Sequence, residues 1–409
     1  MKKACNLGTL ITIQSGFAFK SRQYTDEGYF LVRIGNVQDG VLSLDNPRYV
    51  ALDSKTKRFA LNAGDLLTSL TGNIGRVARV EKSHLPAALN QRVARLTVND
   101  SSTLSRDYLF YFLTSDWFKD ELSAVGHGAA QQNVSPAAIG KLSSPLPPLP
   151  EQTRIVAILD EAFAAIATAA ANAEKNLANA RELFESELNR VFSQKGDGWV
   201  EITLAEMSHD FGRGKSKHRP RNADFLYGGK YPFVQTGDIR NSEHIISDYT
   251  QTYNEAGLSQ SKLWPEGTIC ITIAATIAET GILGFDACFP DSVVGMVPDP
   301  DRSDSGYVEY LLQFFKTELQ RQGKGSAQDN INLGTFKRQK FPFASLPEQQ
   351  AIAAKLDALS KETKNLKSIY QQELTALAEL KQSILHKAFT GELTADTKVA
   401  DRTLSEARV

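Results

Sequence analysis

Leu149-Pro150-Glu151-Gln152-Thr153-Arg154-Ile155-Val156-Ala157-Ile158-Leu159-Asp160 returns 197 positions later as Leu346-Pro347-Glu348-Gln349-Gln350-Ala351-Ile352-Ala353-Ala354-Lys355-Leu356-Asp357. The match extends without a gap from Gln131 over Gln328 to Phe192 over Phe389, 62 positions of which 17 are identical. Asn133 meets Asn330, Pro145 meets Pro342, and Glu182-Leu183, Ser186 and Leu188 meet Glu379-Leu380, Ser383 and Leu385. A register held that long is an internal duplication of a unit too large for a solenoid period.

Each copy opens on a proline that can start a helix but not continue one, with Glu and Gln in the first turn. No further Pro or Gly follows until Gly196 and Gly391. That leaves about 42 helical residues per copy, about 63 Å at 1.5 Å per residue. Ile155, Leu159, Ala162, Ile166, Ala169, Ala173, Leu177, Ala180, Phe184, Leu188 and Val191 recur at steps of three and four. Ile352, Leu356, Leu359, Leu366, Tyr370, Leu374, Leu377, Ile384 and Ala388 do the same in the second copy. A seam of that length requires a partner helix. The first helix is alanine-rich where the second carries Leu and Tyr, so small side chains face large ones.

The remaining sequence divides around these helices. Residues 1–150 and 196–346 read as two similar mixed, strand-rich domains, 151–195 and 347–391 as the long helices, and 392–409 as a disordered tail. In the first domain Tyr29–Ile34, Leu66–Leu70 and Arg76–Val80 read as strands, followed by a helix over Asp107–Ser123, a polar loop at Gly126–Asn133 and a Pro-rich hinge at Pro145–Pro150. In the second domain Val234-Gln235-Thr236-Gly237-Asp238-Ile239 corresponds to Val32–Val37, and Gly267–Cys270 to Gly64–Leu67. A helix over Gly306–Arg321 and the loop Gly323–Asn330 complete the parallel. The offset drifts to 202 and 203 inside the domains and returns to 197 at the helices. The fold class is therefore α+β, with loops that diverged while the helices kept register.

Composition is that of an ordinary globular protein, with a net charge of −1 over 409 residues. The balance is uneven. Residues 1–150 carry 17 basic and 12 acidic side chains, and residues 196–346 carry 15 and 19. No uninterrupted apolar run reaches the ~18 residues of a membrane span. No apolar signal core follows Met1–Asn6, so the chain is expected in the cytoplasm. Cys5, Cys270 and Cys288 are widely spaced, which disfavours disulfides and zinc.

The paired Leu-Pro-Glu-Gln motifs at 149–152 and 346–349, the repeated long helices, and the helix ends Val191-Phe192 and Lys387-Ala388-Phe389-Thr390-Gly391-Glu392-Leu393 together resemble the specificity subunit of type I restriction–modification systems over nearly the whole chain. The resemblance implies two target-recognition domains, related by a pseudo-two-fold axis, on an antiparallel coiled coil. Each domain would read one half of a bipartite double-stranded DNA site, and the helices would set the spacer between the halves. It further implies assembly with two methyltransferase subunits, and with restriction subunits for cleavage. S-adenosylmethionine, ATP and Mg would serve those partners, and this chain would hold no cofactor and no catalytic residue.

The catalytic motifs that such chemistry requires are incomplete in the sequence. Pro147-Pro148, the one Pro-Pro, follows Leu146 and so lacks the Asn/Asp-Pro-Pro-aromatic pattern of amino-methyltransferases. Gly214-Lys215-Ser216 has His209 where a P-loop needs glycine. Pro290-Asp291 lacks the Glu-x-Lys of a metal nuclease, and no histidine pair stands at ligand spacing on a helix. A non-catalytic subunit is expected. The competing readings are a coiled-coil scaffold binding protein partners and a self-contained modification enzyme.

DNA contacts call for Arg, Lys, Asn and Gln on loops. The candidates in the first domain are Lys55, Lys57, Arg58, Asn73, Arg76, Asn90, Gln91 and Arg92. In the second they are Arg213, Lys215, Lys217, His218, Arg219 and Arg221, a run expected to be an exposed loop made flexible by Gly212 and Gly214. Trp117, Trp199 and Trp264 read as core or hinge packing.

Overall fold

The structure, a computed structural model, describes residues 3–125, 133–218, 223–274, 277–324 and 333–394. The loops at Gly126–Asn133 and Gly323–Asn330 and the tail after Leu393 fall largely outside these residues. The chain forms two compact units, Met1–Ala173 with Gln372–Val409, and Glu174–Gln371. The unit boundaries cut both long helices, Leu149–Ser193 and Leu346–Thr390, near their middles.

In the first unit a four-stranded antiparallel sheet has the order Ile11–Ser15, Val93–Val98, Leu66–Ser69, Val77–Arg79. A second sheet has the order Tyr24–Thr25, Tyr49–Val50, Tyr29–Val32, Ala87–Leu89, Ala60–Leu61, with Tyr29–Val32 and Ala87–Leu89 parallel. The second unit repeats the plan. Ser208–Arg213, Val293–Pro298, Ile269–Thr272 and Thr280–Leu283 form its main sheet, with Ile245–Ile246 added at the edge. Gln251–Tyr253, Tyr227–Phe233, Ala287–Cys288 and Leu263–Trp264 form the other. Central strands such as Leu66–Ser69 and Ile269–Thr272 are buried throughout, as strands covered on both faces are.

The expected helix over Asp107–Ser123 is two helices, Arg106–Thr114 and Asp116–Val125. Ser115 breaks it: its hydroxyl donates back to the Phe112 carbonyl at 2.6 Å and accepts from the Phe118 N–H at 3.3 Å, so it caps a second helix. The helix expected over Gly306–Arg321 runs Ser305–Lys324. Trp264 is fully buried and Trp199 half-buried, but Trp117 is 36% exposed and stands edge-on to Phe112.

Each unit closes on helix ends of opposite sense. In the first, Ile155 and Leu159 near the start of one long helix share a core with Leu385, Ala388 and Phe389 near the end of the other. In the second, Leu188 and Phe192 meet Ala353 and Leu356. The long helices are thus antiparallel in both. Burying each such Leu or Phe contributes about 1.5–3 kcal/mol. Every seam position predicted from the three-and-four stepping is buried or half-buried. The first long helix qualifies the membrane expectation, because an 18-residue window of it has a mean hydropathy of 1.5 and passes the length and composition test for a span. Its apolarity comes largely from alanine, as in Ala169-Ala170-Ala171, and a small side chain suits a helix seam as well as a lipid face.

The repeated residues are the joint between domain and helices. Gln152 is fully buried; its amide donates to the carbonyls of Thr103 and Pro147, both at 2.9 Å, and accepts from the Ser105 N–H at 2.8 Å. Gln349 repeats this with Arg302 at 3.0 Å, Ala344 at 2.9 Å and Asp304 N–H at 2.9 Å. Tyr108 donates to the Pro145 carbonyl at 2.9 Å and stands edge-on to Phe389. Tyr307 donates to Pro342 at 2.8 Å and stands edge-on to Phe192. Glu151 accepts from the Thr394 hydroxyl, and Glu348 from the Trp199 indole N–H at 2.9 Å. Pairs of strands also return at an offset of 197, Lys3–Asn6 with Ser143–Leu146 and Val200–Thr203 with Lys340–Phe343.

Candidate nucleic-acid interface

The predicted residues of the first domain lie in three places. Lys55, Lys57 and Arg58 are exposed on a loop and short 3-10 helix whose turn is tied by Asp53, which accepts from the Thr56 hydroxyl and from the N–H groups of Lys55 and Thr56. Those bonds, Thr56 foremost, hold the Asp53 carboxyl below its ordinary range. The Arg58 guanidinium lies over the Phe59 ring at 4.8 Å, leaving its charge toward water. Asn73 is exposed at a turn that is closed by the Ser69 hydroxyl on its carbonyl. Arg76 is half-buried and donates to Gln38 at 2.8 Å.

Asn90, Gln91 and Arg92 line a cleft of about 410 Å³ together with Phe19, Tyr24, Arg33 and Asn46. Asn90 is buried, while Gln91 and Arg92 are exposed. Sequence reasoning missed Arg33, because Tyr29–Ile34 reads as one strand. The strand stops at Val32, and Arg33 becomes the cap of a short 3-10 helix whose Asn36 side chain accepts from the Arg33 N–H at 3.1 Å. The repeat held a signal: Arg33 aligns with Gln235, whose N–H donates to Asp238 in the same way at 2.8 Å.

In the second domain the basic run leaves a strand at Arg213 and continues as the expected loop over 214–218, with Arg213, Lys215 and Lys217 exposed. Arg213 is the last residue of the Ser208–Arg213 strand and pairs with Val294. Gly214 is buried because a Cβ there would stand 2.3 Å from the Phe289 carbonyl oxygen. It permits close approach of two backbones, and supplies no freedom. Lys215 and Lys217 are exposed just beyond it, and the His218 N–H donates to Gln260 at 2.9 Å. Arg219 and Arg221 lie outside the described residues. The side of this domain facing its helix carries a buried polar knot. His244 lies 2.6 Å from the fully buried Glu309 and stacks on Tyr310, which donates to Asp357 at 2.7 Å. Burial, then the bond to Asp357, raises the Tyr310 hydroxyl pKa.

Comparison with known proteins gives a consistent assignment. The sequence profile described as "Type I restriction modification DNA specificity domain" matches residues 2–176 and again 196–376. The chain is 21% identical to the type I restriction enzyme StySPI specificity subunit of Salmonella potsdam, over 95% of this chain and 88% of that one. It is equally similar, at 21% over the same shares, to the EcoKI specificity subunit of Escherichia coli K12. The crystal structure of the HsdS subunit from Thermoanaerobacter tengcongensis shares the fold with a TM-score of 0.61, at 21% identity over 96% of this chain and 97% of that chain. A chain from a structural study of type I restriction–modification complex assembly and conformational transition gives 0.76, at 21% identity, over 96% and 98%. With the domain matched twice over most of its length, the chain belongs to the type I restriction–modification DNA specificity family.

Proposed function

We propose that this chain is the non-catalytic, sequence-specific DNA-binding subunit of a type I restriction–modification complex. Each globular domain reads one part of a bipartite double-stranded site, and the antiparallel helices set the spacer. The observation that carries this reading is the duplicated joint. Gln152 and Gln349 fasten two versions of one scaffold by the same three hydrogen bonds, while segments that follow the same backbone contacts, Gln91-Arg92 after Asn90 and Asp291-Ser292 after Pro290, differ in chemistry. A protein selected to read two unlike half-sites needs constancy at the first and divergence at the second.

Two methyltransferase subunits dock along the helices in this reading. Leu183 and Leu380, related by the offset of 197, are 49% and 47% exposed, giving equivalent apolar footholds for two copies of one partner. Restriction subunits join for cleavage. S-adenosylmethionine, ATP and Mg are used by the partners, and the complex works on DNA in the cytoplasm.

Co-expression with the cognate methyltransferase subunit, followed by mapping of methylated bases, tests the proposal. A bipartite motif supports it, and methylation without one overturns it. Methyl transfer or ATP hydrolysis by the chain free of partner subunits overturns its non-catalytic part.

A further inference from the structure

The backbone frame that borders the first domain's cleft recurs in the second domain. Gly16 N–H donates to the Val93 carbonyl at 3.1 Å and Gly214 N–H to Val293 at 2.9 Å. Val93 N–H donates to the Asn90 carbonyl and Val293 N–H to Pro290, both at 3.0 Å. A Cβ on Gly16 would stand 2.3 Å from the carbonyl oxygens of Leu89 and Asn90; on Gly214, 2.3 and 2.4 Å from those of Phe289 and Pro290. These contacts equate Gly16 with Gly214 and Asn90 with Pro290. One lip is then Phe17–Lys20 in the first domain and Lys215–His218 in the second. The facing lip is Gln91-Arg92 in the first and Asp291-Ser292 in the second. Arg33 and Gln235, each capping a short helix after a strand in a parallel pair, occupy the same third position.

We propose, on the basis of the specificity reading above, that this frame is where each domain reads bases. In the first domain Arg33, Gln91 and Arg92 determine specificity; in the second, Lys215, Lys217 and Gln235 do. Candidates picked from unrelated-looking stretches, 90–92 in one half and 215–217 in the other, fall on facing lips of one frame. Their chemistry is that of base edges. A glutamine amide offers a donor and an acceptor to adenine, and arginine or lysine donates to the two guanine acceptors. Arg33 is set for such use. Its Nη2 donates to the Asn46 carbonyl at 2.6 Å, while its Nε is buried and has no hydrogen-bond partner. Asn46 holds a left-handed backbone with φ of 49°. Buried Asn36 pins the adjoining loop through the carbonyls of Ser43 and Asp45 at 3.1 and 3.0 Å. Lys55, Lys57 and Arg58, in contrast, offer cations alone on a separate loop, which suits phosphates. Asp291-Ser292 stands where the first domain has Gln91-Arg92, and Lys215–His218 carries more cations than Phe17–Lys20, so the two half-sites differ.

The test is the methylated-base map of cells expressing the methyltransferase subunit with wild-type chain, Arg33→Ala, Gln91→Glu or Lys217→Ala. Arg33→Ala and Gln91→Glu are expected to relax or change the first half-site, lowering discrimination at one base pair by roughly 5- to 150-fold. The second half-site and the spacer stay as in wild type. Lys217→Ala has the reciprocal effect. A wild-type bipartite site left unaltered by Gln91→Glu and Lys217→Ala overturns this assignment but not the specificity reading. Absence of a bipartite site in wild type overturns the reading itself. If Arg33→Ala abolishes methylation through misfolding, the exposed Gln91 and Lys217 positions decide.

Discussion

Replacing Gln152 with Met tests the joint, because methionine keeps the side-chain length and removes every hydrogen bond. The Ser105 N–H and the carbonyls of Thr103 and Pro147 lose their partners. Gln152 is fully buried, so water does not readily replace it. A buried group left unsatisfied costs about 1–3 kcal/mol. The three losses are not additive, because each carbonyl has a second lone pair. The expected destabilisation of the first unit is therefore about 3 kcal/mol, out of the 5–15 kcal/mol typical of a domain. Gln152→Ala should cost roughly 1–2 kcal/mol more through lost methylene packing. Urea denaturation gives the magnitude, and hydrogen exchange followed by peptide mass gives the location. Protection should fall in the peptide holding Ser105 while the peptide holding Asp304 is unchanged, and Gln349→Met should reverse the pattern. A Gln152→Met protein within about 0.5 kcal/mol of wild type would refute the clamp.

Neutralising Arg213, Lys215, Lys217, Arg219 and Arg221 together should weaken DNA binding and flatten its salt dependence by about 0.9 in log–log slope for each phosphate no longer neutralised; an unchanged slope assigns the cluster to solvent. Glu187 accepts from Arg190 and from Lys355 of the facing helix, which lowers its pKa from 4.5 to about 2. Since the folded value lies below the unfolded one, its contribution is complete above about pH 4.5 and is lost as pH falls toward 2. Solvent exposure of the pair limits this to about 1 kcal/mol or less. Glu187→Gln should shrink the difference in urea midpoint between pH 7 and pH 3, and an identical difference contradicts the assignment. Deleting 170–173 together with 367–370 shortens each helix by about 6 Å, close to two base pairs at about 3.4 Å each. Methylation should then map to the same half-sites with a shorter spacer; the original spacer retained removes the ruler.

Sequence carried most of the architecture, because the residues that keep register at 197 are those that build the joint. Gln152, Pro145 and Phe389 have counterparts at that offset that make the same contacts, and Tyr108, whose counterpart Tyr307 lies at 199, completes the pattern. The candidate site was legible in part. Gln91-Arg92 announces itself as a polar turn after an apolar strand, but Arg33 is hidden inside a β-rich run and becomes visible only when the strand ends at Val32. The glycines of the basic run mark a loop, but Gly214 is there for close approach to the Phe289 carbonyl, and close approach and flexibility leave the same mark in sequence. Local pattern also could not reveal the His244–Glu309 pair, whose members are far apart in sequence. Glu309 occupies the place of Phe110, under which the first domain sets the Arg79 guanidinium at 4.4 Å from the ring. A cation and an aromatic face are exchanged there for a close His244–Glu309 contact at 2.6 Å, with no trace in either periodicity.

The decisive measurement exploits the shared joint. Residues 200–346 replace residues 3–149, so that the Val200–Thr203 and Lys340–Phe343 strands stand where Lys3–Asn6 and Ser143–Leu146 stood. Both long helices keep their register. In cells co-expressing the methyltransferase subunit, the methylated-base map should show the first half-site replaced by a second copy of the other, at the original spacing. A folded, assembled variant that still methylates the original first half-site would contradict independent reading by the two domains.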